Sequence, residues 1–158
     1  MKRARGFSLI EVLIVIAIMA LLSTIAIPSY ISWMSDRRLK SAASEVQSVI
    51  QLAKMTAIKE NVNVVVTFDP STRSYTAFVD DGNGGGGAGN HIRDTGERLI
   101  HAATLPIEIG LTTSFPGHQL LIDGRGFTNA TGPGVSLTHP TQGSRTVGVG
   151  ITGSTQVQ

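Results

Sequence analysis

From Phe7 to Ile27 every residue is apolar, or small and uncharged, with one exception, Glu11. No other stretch limits the fold as much. As a helix these residues rise about 30 Å, the thickness of a bilayer hydrocarbon core. Lys2, Arg3 and Arg5 precede them and hold the N-terminus in the cytoplasm by the positive-inside rule. An acid inside such a segment costs roughly 2.5–3.5 kcal/mol near the bilayer centre, and less toward its edge. Glu11 is therefore a candidate functional residue. An ordinary secretory signal peptide, cut near Thr24 to Ala26, accounts for the charge and the apolar core but leaves Glu11 unexplained. A single-pass anchor accounts for the length.

Pro28 follows the apolar run. Inside a helix it removes one i→i−4 hydrogen bond and kinks the axis. Ser23, Thr24 and Ser29 are close enough to return hydrogen bonds to the freed backbone. Beyond Pro28 the pattern changes to a stripe: Leu39, Ala42, Ala43, Val46, Val49, Ile50, Ala53 and Ala57 recur every three or four residues. Asp36, Arg37, Arg38, Lys40, Glu45, Lys54 and Lys59 lie off it. This spacing predicts an amphipathic half-helix over residues 29–60, packed on a head and closed by Asn61.

From Asn61 the period falls to two. Val62–Phe68 and Ser74–Val79 read as a hairpin around Pro70–Arg73. Further strands are expected at Arg98–Ala102, Ile107–Leu111, Gln119–Ile122, Val135–Thr138 and Arg145–Ile151. Gly- and Pro-rich turns separate them. The expected fold class is α+β: a long N-terminal helix, membrane-spanning first and amphipathic second, packed on an antiparallel sheet or sandwich head over residues 61–158.

Charge and composition narrow the function. Residues 61–158 carry five arginines and no lysine against seven acids, so bulk electrostatics does not favour nucleic acid as a partner. With no cysteine there is no disulfide, thiolate nucleophile or thiolate metal ligand. His91, His101, His118 and His139 are scattered, and no serine sits in a nucleophile-elbow context. The chain is not expected to be an enzyme or to hold a cofactor. Asp80, Asp81, Asn83, Asp94 and Glu97 offer oxygen ligands for Ca²⁺, but not at EF-hand spacing. Five of the seven residues after Asn83 are glycine, which fits a polar inter-strand loop as well.

The run Gly6-Phe7-Ser8-Leu9-Ile10-Glu11-Val12-Leu13 resembles the type III signal of type IV pilins and type II secretion pseudopilins. The resemblance implies that residues 1–6 are a leader, cut between Gly6 and Phe7 by a prepilin peptidase that also N-methylates Phe7. It implies a filament-core helix over residues 7–28, bent at Pro28. In lipid Glu11 has no partner; in a filament it can accept a charge-assisted hydrogen bond from a neighbouring Phe7 amine, which fixes register. The head is similar to the GspH/FimT class, in the hairpin, the Phe78-Val79-Asp80-Asp81-Gly82 stretch leading to Gly96-Glu97-Arg98, the run Gly124-Arg125-Gly126-Phe127 and a late strand holding Arg145.

The implied function is a structural subunit of a type II secretion pseudopilus or type IV pilus. Its implied partners are the peptidase/N-methyltransferase, other pilins or pseudopilins, the inner membrane and, indirectly, the assembly platform and its ATPase. The implied location is the bacterial inner membrane, single-pass, with the N-terminus cytoplasmic and the head periplasmic, and afterwards a filament. Two alternatives stand beside it. A DNA-binding minor pilin for natural transformation requires clustered C-terminal cations, whereas Arg125 and Arg145 are isolated. A secreted β-rich enzyme with a cleaved leader requires a mature N-terminus near Ile27.

Overall fold

The computed structural model describes residues 8–83, 87–130 and 132–158. Gly6 and Phe7 lie outside the described residues. A single helix, α1 (Leu9–Glu60), runs for 52 residues, about 78 Å. Eight strands follow: β1 (Val64–Asp69), β2 (Ser74–Val79), β3 (Leu99–Thr104), β4 (Gly110–Thr113), β5 (Gln119–Ile122), β6 (Val135–His139), β7 (Gly143–Val149) and β8 (Thr155–Val157). They form two four-stranded antiparallel sheets, ordered β3-β2-β1-β5 and β4-β6-β7-β8.

The helix is divided by what it touches. Its apolar first half is long enough to cross a membrane, and none of the residues in its most apolar stretch is buried in the protein. Its buried residues are Leu39, Ala42, Ala43, Val46, Val49, Ile50, Ala53 and Ala57, the stripe that three- and four-residue spacing predicts. Four of these eight are alanine, which lets the sheets approach the helix closely. The stripe shares one buried cluster with Val64, Val66 and Phe68 of β1, Tyr75, Ala77 and Val79 of β2, and Leu111, Leu137, Val147 and Val149 of the second sheet. One core therefore joins the helix to both sheets. At the far end Asn61 adopts the left-handed conformation (φ 54°, ψ 46°) and donates its N–H to the Ala57 carbonyl, closing the helix as expected.

The β1–β2 hairpin forms with Val64 opposite Val79 and Asp69 opposite Ser74. Its turn is held by the Asp69 carboxylate, which accepts hydrogen bonds from the Ser71 hydroxyl (2.5 Å), the Thr72 hydroxyl (2.7 Å) and the Ser71 amide (2.9 Å). The Ser71 hydroxyl first, then that of Thr72, pull the Asp69 carboxyl down to about 2.

Two strands differ from expectation. The strand predicted at Ile107–Leu111 begins only at Gly110, because Pro106 starts a turn in which Ile109 donates its N–H to the Pro106 carbonyl. The strand predicted at Arg145–Ile151 stops at Val149, where a turn takes over: the Gly150 amide donates to the Ser154 carbonyl. That turn returns the chain as β8, which the sequence pattern does not announce. Thr155-Gln156-Val157 is mostly polar. It is a strand because Val149 and Val147 of β7 pair with Thr155 and Val157, while Gln47 and Gln51 of the helix donate to Thr155.

Candidate functional site

Glu11 sits in the first turn of α1, exposed, in an otherwise apolar surface. A carboxylate here stands at the positive end of the helix dipole. Among the described residues it has no ion-pair partner. Pro28 is accommodated inside the helix, which continues on both sides of it. The Ser23 and Thr24 hydroxyls do not compensate for the proline. They donate to the Met19 and Leu21 carbonyls (both 2.7 Å), whereas the carbonyl deprived of its N–H partner is that of Thr24.

Just past this segment the head is tied to the helix by polar contacts that spacing alone does not reveal. Gln142, in the β6–β7 turn, donates to the Ser32 hydroxyl. Arg145 of β7 reaches Asp36 at 3.3 Å, and Lys40 reaches the same carboxylate at 2.7 Å. The Lys40 hydrogen bond, with Arg145 behind it, holds the Asp36 carboxyl below the usual range. Arg38 grips both oxygens of Glu108 (3.1 and 3.0 Å), and His139 stands 3.9 Å from the same group. Higher up, Tyr75 donates its hydroxyl to Glu45 at 2.7 Å, and Arg98 pairs with Glu60. Burial, with the Glu45 carboxylate beside it, pushes the Tyr75 hydroxyl well above its ordinary value. The only hint of these ties in the sequence is that charges flank the buried stripe.

The five oxygen-bearing residues between β2 and β3 do not converge. Asp80 and Glu97 are buried, at 1% and 3% exposure, and their carboxylates are used by backbone. Asp80 accepts from the Gly89 amide (2.8 Å) and the His91 amide (3.0 Å). Glu97 accepts from the Gly82 amide (3.3 Å) and the Asp94 amide (3.0 Å). Asp81 accepts from Asn83, and Asp94 from Asn90. Gln119 of β5 donates to the His91 carbonyl, so the segment straps back across the first sheet. Among the described residues no three acidic or histidine side chains come together at metal-ligand geometry. The structure thus gives Asp80 and Glu97 a clear task, which is to order a glycine-rich connection.

The histidines and the late arginines stay apart. His101 stacks on Tyr75 at 5.9 Å, His139 lies near Glu108, and His91 and His118 occupy turns with positive φ. Arg125 pairs with Asp123, and Arg145 with Asp36, so each is tied to a carboxylate rather than joined in a phosphate-binding groove.

The chain compares with known proteins at both ends. A family model described as type II transport protein GspH matches residues 42–155. A second, described as the prokaryotic N-terminal methylation motif, matches residues 1–27. Two curated fimbrial proteins of Pseudomonas aeruginosa are each 39% identical over 75 residues, and the chain spans about half the length of these relatives (48%). Among solved structures, the minor pseudopilin EpsH from the type 2 secretion system of Vibrio cholerae is similar with a TM-score of 0.58 at 18% identity. The match covers 77% of this chain and 96% of that one. The type IV minor pilin FimU of Pseudomonas aeruginosa is similar with a TM-score of 0.57 at 14% identity, covering 80% of this chain and 92% of that one. At such identities these structures speak to the fold.

Proposed function

Because this chain belongs to the GspH family of type II transport proteins, we propose that it is a structural subunit of a type II secretion pseudopilus or a type IV pilus. The observation that carries this reading is a continuity. One unbroken helix joins the methylation-motif segment, matched over residues 1–27, to the GspH head, matched over residues 42–155. An exposed apolar half and a head-packed half on one helix suit a subunit that passes from lipid into a bundle of like helices.

In this reading a prepilin peptidase cuts between Gly6 and Phe7 and N-methylates Phe7. Residues 7–28 are the membrane and filament-core segment, residues 29–60 the half-helix that carries the head, and residues 61–158 the periplasmic head. Glu11 is the assembly residue. In the bilayer its charge is unpaired; in the filament it accepts a hydrogen bond from the amine of a neighbouring Phe7, so assembly relieves a cost paid during insertion. Pro28 supplies a bend where helices of the filament pack. The role is structural, and the motive work is done by an ATPase elsewhere in the machine.

Changing Gly6 tests the processing step. A Gly6→Val chain is expected to accumulate as the uncut precursor in the inner membrane fraction, separated from mature protein on a gel. Normal maturation of that variant would overturn the assignment of the cut site.

A further inference from the structure

We infer that Tyr30, Trp33, Arg37 and Lys40 form a docking collar for phospholipid headgroups, with a preference for anionic lipid, on the outer face of the membrane that holds the anchor. This inference rests on the anchor reading above. Its first support is position. With Leu9 at the inner edge of the hydrocarbon, Ile27 lies about 27 Å along the helix, at the outer edge. Tyr30 and Trp33 then stand about 4 and 9 Å higher, at the headgroup layer where amphipathic aromatics are stable. Both rings are largely exposed (58% and 50%) and lie 6.0 Å apart.

The second support is direction. At 100° per residue Tyr30, Trp33, Arg37, Lys40 and Ser41 fall within an arc of roughly 100°. That arc is opposite the stripe that starts at Leu39 and packs on the head. Helical side chains lean toward the N-terminus, here toward the bilayer. The lean is visible: the Arg37 guanidinium reaches back to lie 4.3 Å from the centre of the Trp33 ring, and the Lys40 ammonium reaches back to Asp36.

The third support is charge. Arg37 has no carboxylate partner among the described residues, and it borders an open concavity lined by Arg37, Arg38, Lys40 and Ser41. Arg38 is matched by Glu108, but Lys40 and Arg145 share the one carboxylate of Asp36. Four cations against two carboxylates leave two positive charges at the level where phosphates lie. Because Ser32 and Asp36 are already bound to the head through Gln142 and Arg145, the collar also sets the head directly above the bilayer, with no free stalk between them.

Trp33 is the chain's single tryptophan, so its fluorescence reports on the collar alone. The full chain is reconstituted into phosphatidylcholine vesicles containing some phosphatidylglycerol, with a nitroxide on the headgroup of one lipid or the other, or deep on the acyl chain. Flotation is read on the same vesicles. The expected result is stronger quenching by headgroup than by acyl nitroxide, and about twofold more by labelled phosphatidylglycerol than by labelled phosphatidylcholine. An R37Q/K40Q chain is expected to float equally and quench equally with both lipids. Three results on a floating chain would overturn the collar and leave the anchor reading standing. They are a Trp33 quenched by aqueous iodide and not by headgroup nitroxide, equal quenching by the two lipids in the unaltered chain, and a lipid preference that survives R37Q/K40Q. A Trp33 shielded only after filament assembly would assign this face to a neighbouring subunit and also overturn it. A chain that fails to float defeats the anchor reading itself.

Discussion

Replacing Asp80 by alanine removes the acceptor for two backbone amides at once. The carboxylate is 1% exposed and receives the Gly89 and His91 N–H groups at 2.8 and 3.0 Å. Hydrogen bonds to a charged acceptor contribute about 1.5–3 kcal/mol each. Gly89 is exposed and His91 half-buried, so both amides can partly recover with water, which brings the expected cost of Asp80→Ala to about 2–3 kcal/mol. For a head of this size that is a fall in Tm of about 10–15 °C. Asp80→Asn keeps one acceptor and turns an NH₂ toward the other amide, so an intermediate fall is expected. The assay is thermal unfolding of the detergent-solubilised chain, followed by circular dichroism, with amide exchange at Gly89 and His91 read in parallel. Both amides are expected to lose protection in Asp80→Ala. A Tm within about 2 °C of the unaltered chain, with both amides still protected, would refute the claim that Asp80 orders the strap.

Other perturbations test other parts of the account. Glu11→Val is expected to leave membrane insertion intact while sharply reducing incorporation into filaments, read by shearing and fractionation; wild-type incorporation would contradict the register role of Glu11. Gly134 has φ 104°, and a Cβ there would lie 2.1 Å from the Val147 carbonyl oxygen, so Gly134→Ala is expected to cost about 3 kcal/mol or more in thermal unfolding, against about 1 kcal/mol for Gly143→Ala, where the added Cβ meets nothing within 4 Å. The Asp69 carboxyl, held at about 2 against an ordinary 3.8, makes the hairpin turn more stable above pH 3.8 and less so as pH falls toward 2. An NMR titration of Asp69 with its midpoint near 3.8 would contradict that turn geometry.

Much of the architecture is legible from residue spacing, and the exceptions have physical causes. The helix and its buried stripe are visible because eight apolar positions keep one face over five turns, and burial follows that face residue for residue. The β1–β2 hairpin is visible because a β-branched run, a Pro-Ser-Thr turn and an alternating strand all agree. β8 is not visible: three residues with one apolar side chain form a strand only because β7 and two helix glutamines are waiting for them. The acids between β2 and β3 can be read as a cluster of oxygens, but not as what Asp80 and Glu97 become, since both turn inward to amides brought close by the fold. The same holds for the ties at Ser32, Asp36 and Arg38, whose partners are 70 to 110 residues away in sequence. Glu11 differs again. Its cost is legible in one chain, while the partner that offsets it belongs to a second copy.

Everything proposed about assembly passes through one bond, that between Gly6 and Phe7. Mass spectrometry of the N-terminus of the mature protein from membranes of the producing cell measures it directly. The account predicts a chain that starts at Phe7 and carries one added methyl group on its amine. A mature chain that starts near Ile27, or one that keeps residues 1–6 in assembled filaments, would contradict it.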